Sequence, residues 1–120
     1  MMLSTRVALV TGGSRGIGRA IAFALADAGA LVAVNYRERG QEATAVAETI
    51  RSKGKQAIAV AADVSLRQPV TEMIARIARE LGPVDILINN AGIAIVRCVD
   101  DLSEEDFDRT IAVNLKSAFL

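Results

Sequence analysis

With 120 residues, the chain has room for one domain at most. Its 14 Lys and Arg balance 14 Asp and Glu, so no net charge draws it to nucleic acid or to an anionic membrane, and the scattered Phe23, Tyr36, Phe107 and Phe119 make no base-stacking platform. The absence of histidine removes the commonest metal ligand and general base, and the single cysteine, Cys98, excludes an intrachain disulfide and fits a reducing, cytoplasmic setting.

From the N-terminus, residues 7–10 are a short apolar run and predict a buried strand. The segment Thr11-Gly12-Gly13-Ser14-Arg15-Gly16-Ile17-Gly18 follows. A helix pattern comes next, with Ile17, Ala20, Ile21, Ala24, Leu25 and Ala28 on one face and Gly29 as its stop. Residues 31–35 predict a second strand. Ala43, Val46, Ala47 and Ile50 mark a second helix that Gly54 ends, and residues 56–61 a third strand. Val70, Met73, Ile74, Ile77 and Leu81 share a face of a third helix. Ser65 with Gln68 reads as a capping box, but Pro69 suits the first helical position, so a start near Gln68 is expected. Gly82-Pro83 stops this helix before a fourth strand at residues 84–88. A fourth helix begins after Ser103, with Asp106 as a capping partner.

Strands apolar on both faces and joined by helices imply a parallel sheet covered on both sides. The expected fold class is α/β, a Rossmann-type doubly wound parallel sheet with strand order 3-2-1-4. No apolar core of a signal peptide precedes Thr11, and no apolar run is long enough to cross a bilayer.

The glycine segment carries the functional signal. A buried strand, a turn poor in side chains and a helix N-terminus make a phosphate site, where backbone N–H groups point outward and the helix dipole adds about half a positive charge. The P-loop template fails, because Arg19 replaces its lysine and Ala20 its hydroxyl residue. The G-x-G-x-x-G template fails as well: Gly12 meets Ser14, Gly13 meets Arg15, and Gly16-Gly18 meets Ile21. What remains is T-G-x-x-x-G-x-G, filled by Thr11, Gly12, Gly16 and Gly18. A glycine turn that merely lets a helix pack on a strand would leave the same trace.

Downstream, Asp63 follows the third strand, Asn89-Asn90-Ala91-Gly92 follows the fourth, and Asn114 lies in the helix after it. With the glycine loop, these residues give the chain a resemblance to the short-chain dehydrogenase/reductase family over nearly its whole length. Within the family, the loop and Asn35-Tyr36-Arg37 look most like the 3-oxoacyl-[acyl-carrier-protein] reductases. The resemblance implies a nicotinamide cofactor held by Gly12, Ser14, Arg15, Gly16, Ile17, Gly18, Asn35, Tyr36, Arg37, Asp63, Val64, Asn90, Ala91 and Gly92. Asp63 would bind the adenine ring, or could serve only as a carboxylate leading a helix. Asn90 would line the cofactor, and could also tie adjacent strand ends together. Asn114 sits on the apolar face made by Phe107, Ile111 and Ala118; it would support a water in a proton relay, or could be a buried amide satisfied by neighbouring backbone.

An NAD site wants Asp or Glu at the end of the second strand to bind the ribose 2′-hydroxyl. This chain has Asn35-Tyr36-Arg37 there, with Arg15 on the facing loop. Arginine forks suit phosphate oxygens, so NADP(H) is expected over NAD(H). Glu38 argues the other way, and Arg37 could be a solvated loop charge. The family's catalytic serine and Tyr-x-x-x-Lys have no counterpart here. Tyr36 has no lysine four residues on, and Lys116 and Ser117 precede the expected positions. The expectation is the N-terminal cofactor half of a longer single domain, residues 1–120, inactive in hydride transfer by itself. The parent would reduce a small-molecule or acyl-carrier-bound carbonyl to an alcohol, as a homodimer or homotetramer. A non-catalytic nucleotide-binding module and a purely structural fold are the alternatives. Asp100, Asp101, Glu104, Glu105, Asp106 and Asp108 read as carboxylates at a helix N-terminus, with a cation site the other possibility. Cys98 reads as an incidental loop thiol.

Overall fold

The computed structural model describes residues 2–92, 101–116 and 118; Cys98, Asp100 and Ser117 lie outside them. Four strands, β1 (Val7–Val10), β2 (Leu31–Tyr36), β3 (Ala57–Ala61) and β4 (Ile86–Ile88), form a parallel sheet in the order β3-β2-β1-β4. Three helices, α1 (Gly16–Asp27), α2 (Gly40–Ser52) and α3 (Arg67–Glu80), make the crossovers. After β4 comes α4 (Glu104–Ile111), which runs into a π-helical turn at Ala112–Lys116.

Strand alternation sorts the core onto the two sheet faces. Ala8, Val10, Val32 and Val34 pack with Ala22 and Ala26 of α1 and Val46 and Ile50 of α2. Val7, Leu9, Ala33 and Val60 pack with Met73 and Ile77 of α3. Every residue of β1 is buried, as a central parallel strand requires. Among the described residues β4 pairs only with β1, and Leu87 on it is 49% exposed.

Several local expectations shift. β2 continues through Tyr36, and β3 starts at Ala57. β4 starts at Ile86 because the Asp85 carboxylate accepts the Val7 N–H at 3.0 Å, which takes that donor out of the ladder. The Ser65–Gln68 capping box does not form. α3 begins at Arg67 after an N-cap Leu66, while the Ser65 hydroxyl donates to Asp63 at 2.6 Å. Pro69 falls in the first turn, where a missing N–H breaks no helix bond.

The expected buried face of α1 is turned by one residue. Gly18, Ala22 and Ala26 are buried, and Ile17 is 75% exposed. Gly18 sits under the preceding loop and sets that rotation. On α4 the capping box is present: Ser103 Oγ accepts the Asp106 N–H at 3.0 Å, and the Asp106 carboxylate accepts the Ser103 N–H at 3.3 Å. Glu104, Glu105 and Asp106 thus complement a helix N-terminus.

Candidate functional site

Strand β1 feeds the glycine loop at the point where the sheet order reverses between β1 and β4, the crevice in which open α/β sheets bind ligands. Thr11 anchors the loop to β4. Its hydroxyl donates to the Ile88 carbonyl at 3.2 Å and accepts the N–H groups of Asn90 and Ala91, each at 3.0 Å. The Asn90 side chain returns the tie, donating to the Gly12 carbonyl at 3.0 Å. From β2, Asn35 Oδ1 accepts the Gly12 N–H at 3.2 Å, and the Asn35 carbonyl accepts the Gly13 N–H at 3.0 Å.

Two glycines are required by this geometry. A Cβ on Gly18 would lie 2.5 Å from both Asn90 Nδ2 and the Gly12 carbonyl oxygen, so only hydrogen fits. Gly16 has φ +59°, and a Cβ there would meet nothing within 4 Å. It leaves the backbone open toward the cleft. Helix α1 starts there with no side-chain cap and no acidic residue in its first turn. Its first N–H groups and its dipole therefore face the cleft uncompensated.

The cleft encloses about 380 Å³, within the range of small-molecule sites. Gly12, Ser14, Arg15 and Gly16 form one side. Tyr36, Arg37 and Glu38 come from the end of β2, Asp63 and Val64 follow β3, and Asn90, Ala91 and Gly92 follow β4. The expected cofactor residues thus converge, except that Ile17, 75% exposed, and Gly18, packed against Asn90 and Gly12, do not line the cleft.

Asn35 belongs to the floor of the cleft. It lies under the cleft, 2% exposed. Its Nδ2 donates to the carbonyls of Val60 and Ala62 at 3.3 and 3.2 Å. Its amide is consumed inside the protein, and it supports the glycine loop from beneath. No carboxylate therefore stands at this strand position, and Arg37 is the first charged side chain past it.

Asp63 gathers the polar groups on the far wall. Its Oδ1 accepts the Ser65 N–H at 3.0 Å and the Ser65 hydroxyl at 2.6 Å. Its Oδ2 faces Arg37 Nε at 3.4 Å and Arg109 Nη1 at 3.2 Å. Burial pushes the carboxyl upward, but the Ser65 hydrogen bonds and then Arg109 outweigh it and hold Asp63 below its ordinary value. Arg109, which also donates to Ser65 Oγ at 3.1 Å, was invisible in the sequence. Its partner Asp63 is 46 positions away, and no local spacing marks the pair.

Asn114 sits in the π-helical turn, exposed. Its Oδ1 lies 3.3 Å from where a Cβ on Gly92 would be. The expectation of an amide on a buried stripe does not hold, because Phe107 and Ile111 are 56% and 39% exposed. The extra residue of the π turn takes Asn114 off the α4 pattern and sets it beside the loop after β4.

A parallel sheet in the order β3-β2-β1-β4, with an open helix N-terminus at its switch point, defines a Rossmann-type α/β unit. The short chain dehydrogenase family matches residues 6–120, and the chain belongs to that family. It is 46% identical over 112 residues to the 3-oxoacyl-[acyl-carrier-protein] reductase FabG of Staphylococcus epidermidis, covering 93% of this chain and 46% of that protein. A short chain dehydrogenase from Burkholderia cenocepacia, solved in complex with NADP, superposes with a TM-score of 0.95 at 44% identity, covering 99% of this chain and 49% of that one. A blue fluorescent protein from a metagenomic library, in complex with NADPH, gives 0.93 at 38% identity, with 99% and 49% covered. The chain spans about half the length of the relatives it matches.

Proposed function

We propose that the chain is the cofactor-binding half of an NADP(H)-dependent oxidoreductase that reduces a carbonyl to an alcohol. The observation that carries the cofactor assignment is the end of β2. Asn35 is turned into the protein, and Arg37 stands at the cleft, with Arg15 on the facing loop. A guanidinium at that place recognises a 2′-phosphate that a carboxylate would repel. Glu38, 76% exposed and 3.7 Å from Arg37, is the competing acid, and it faces the guanidinium rather than replacing it.

The residues present suit a dinucleotide. The uncapped α1 terminus with Ser14 and Gly16 would hold the pyrophosphate, Asp63 and Val64 the adenine, and Asn90 to Gly92 the nicotinamide-ribose side. The cofactor supplies hydride. Asn114, beside Gly92, would hold a water for proton delivery. The name of the similar FabG proteins supports a 3-oxoacyl thioester substrate. The balanced charge gives no pull toward nucleic acid or an anionic membrane, and a cytoplasmic homodimer or homotetramer is what the family resemblance implies. Among the described residues no helix is long and apolar enough to cross a membrane.

Titrating the protein expressed from its complete reading frame with NADPH and NADH, followed by nicotinamide fluorescence, tests this reading. Tighter NADPH binding, and turnover of a 3-oxoacyl thioester, are expected. Equal or tighter NADH binding overturns the assignment. NADPH binding without turnover of any carbonyl would leave a nucleotide-binding module.

A further inference from the structure

Asp63 has two arginines on one oxygen, and they come from different parts of the fold. Arg37 belongs to the loop after β2 and is 51% exposed; Arg109 belongs to α4 and is 28% exposed. Arg37 touches Asp63 at 3.4 Å and Glu38 at 3.7 Å. Arg109 touches Asp63 at 3.2 Å and Ser65 Oγ at 3.1 Å. The second terminal nitrogen of Arg109, Nη2, is sealed from solvent without a partner among the described residues. A buried donor with no acceptor is costly. The guanidinium is therefore held in place by the Asp63 and Ser65 contacts of its other nitrogen, not by its own full satisfaction.

The two arginines are not equivalent. In the reading proposed above, Arg37 must turn to the ribose 2′-phosphate. That movement takes one cation away from Asp63, which is largely enclosed. If Arg37 were the only counter-charge, the move would strand a carboxylate in a poorly solvated place, a costly outcome. Arg109 is fixed on a helix and stays.

We infer that Arg109 is a positioning residue for cofactor choice: it remains as the counter-ion of Asp63 so that Arg37 is free to take the 2′-phosphate of NADP(H). This inference rests on the Arg37 reading of the site. The role is specific in its consequence. NAD(H) carries no 2′-phosphate and asks nothing of Arg37, so loss of Arg109 should weaken NADP(H) binding more than NAD(H) binding. A merely structural role would weaken both alike.

The test measures dissociation constants for NADPH and NADH on the protein expressed from its complete reading frame. Arg109→Gln keeps an N–H donor for Ser65 and removes the charge. It should lower the NADPH-to-NADH preference by about threefold, the size expected of one partly exposed ion pair. Arg109→Lys should restore most of the preference, since the charge matters more than the fork. In an Arg37→Ala background, Arg109→Gln should leave the ratio unchanged. If Arg109→Gln does not fold, Arg109→Lys against Arg109→Met gives the same comparison of charge. A wild-type protein that does not prefer NADPH overturns the reading of the site and this inference with it. A wild-type preference that survives removal of the Arg109 charge overturns this inference alone.

Discussion

The side-chain amide of Asn90 donates to the Gly12 carbonyl at 3.0 Å, across 78 positions of sequence. With the Thr11 bonds, it ties the loop after β4 to the loop after β1, and Gly18 must lack a side chain for it to exist. Gly18→Ala would force a Cβ onto both partners at 2.5 Å. We expect a loss of about 1–3 kcal/mol, typical of overpacking at a tight site. Urea unfolding measures the stability, and NADPH titration should show a matching loss of affinity.

Thr11 works beside it. Its hydroxyl oxygen accepts two backbone N–H groups, from Asn90 and Ala91. Thr11→Val keeps the shape and removes the shared acceptor: the Asn90 N–H retains the Ile88 carbonyl at 3.0 Å, while the Ala91 N–H loses its Thr11 partner, at about 1–3 kcal/mol. Thr11→Ser keeps the oxygen and should unfold near the wild-type denaturant midpoint. Comparing the two midpoints isolates the hydroxyl from the packing.

Asn35→Asp looks from sequence like a switch toward NAD(H), because it writes a carboxylate at the end of β2. The structure predicts a different result. The Asn35 Nδ2 gives hydrogen bonds to the Val60 and Ala62 carbonyls, and an aspartate there would set a buried charge against them. The variant should lose about 3–5 kcal/mol, as an uncompensated buried charge does. Thermal melting should fall sharply, with no gain in NADH affinity.

Asp63 gives an acid-side signature. Its folded carboxyl lies below the unfolded value of 3.8. The stability it contributes is therefore fully present above that value and is lost as the pH falls through the folded one. Unfolding free energies of the wild type between pH 2.5 and 6, roughly the span of carboxylate titration, should fall toward the acid end. Asp63→Asn should show a shallower fall. Identical slopes would mean that Asp63 adds nothing to acid sensitivity.

Arg37→Ala should weaken NADPH binding and leave NADH binding near its wild-type value, since only the former carries a phosphate for the guanidinium. A parallel loss for both cofactors would place Arg37 in loop support instead.

The sequence by itself determined the element order, the parallel sheet, the strand order and the glycine loop, because these follow from apolar runs, glycine and proline placement and the handedness of crossovers. It also determined that Arg37, not a carboxylate, follows β2. Tertiary structure decided what each polar group spends its hydrogen bonds on. Asn35 reads as a cofactor contact in the sequence, and in the fold it lies at the cleft floor with its side-chain amide bonded to Gly12, Val60 and Ala62. Ser65 reads as a helix cap and serves Asp63 instead. Asn114 sits on an apolar stripe by spacing, and a π-helical turn moves it to Gly92. Arg109 has no sequence signature, since its meaning lies in a carboxylate brought to it from the loop after β3. Local periodicity acts over a few residues, whereas satisfying buried donors and charges depends on which distant groups the packed sheet and helices bring within bonding reach.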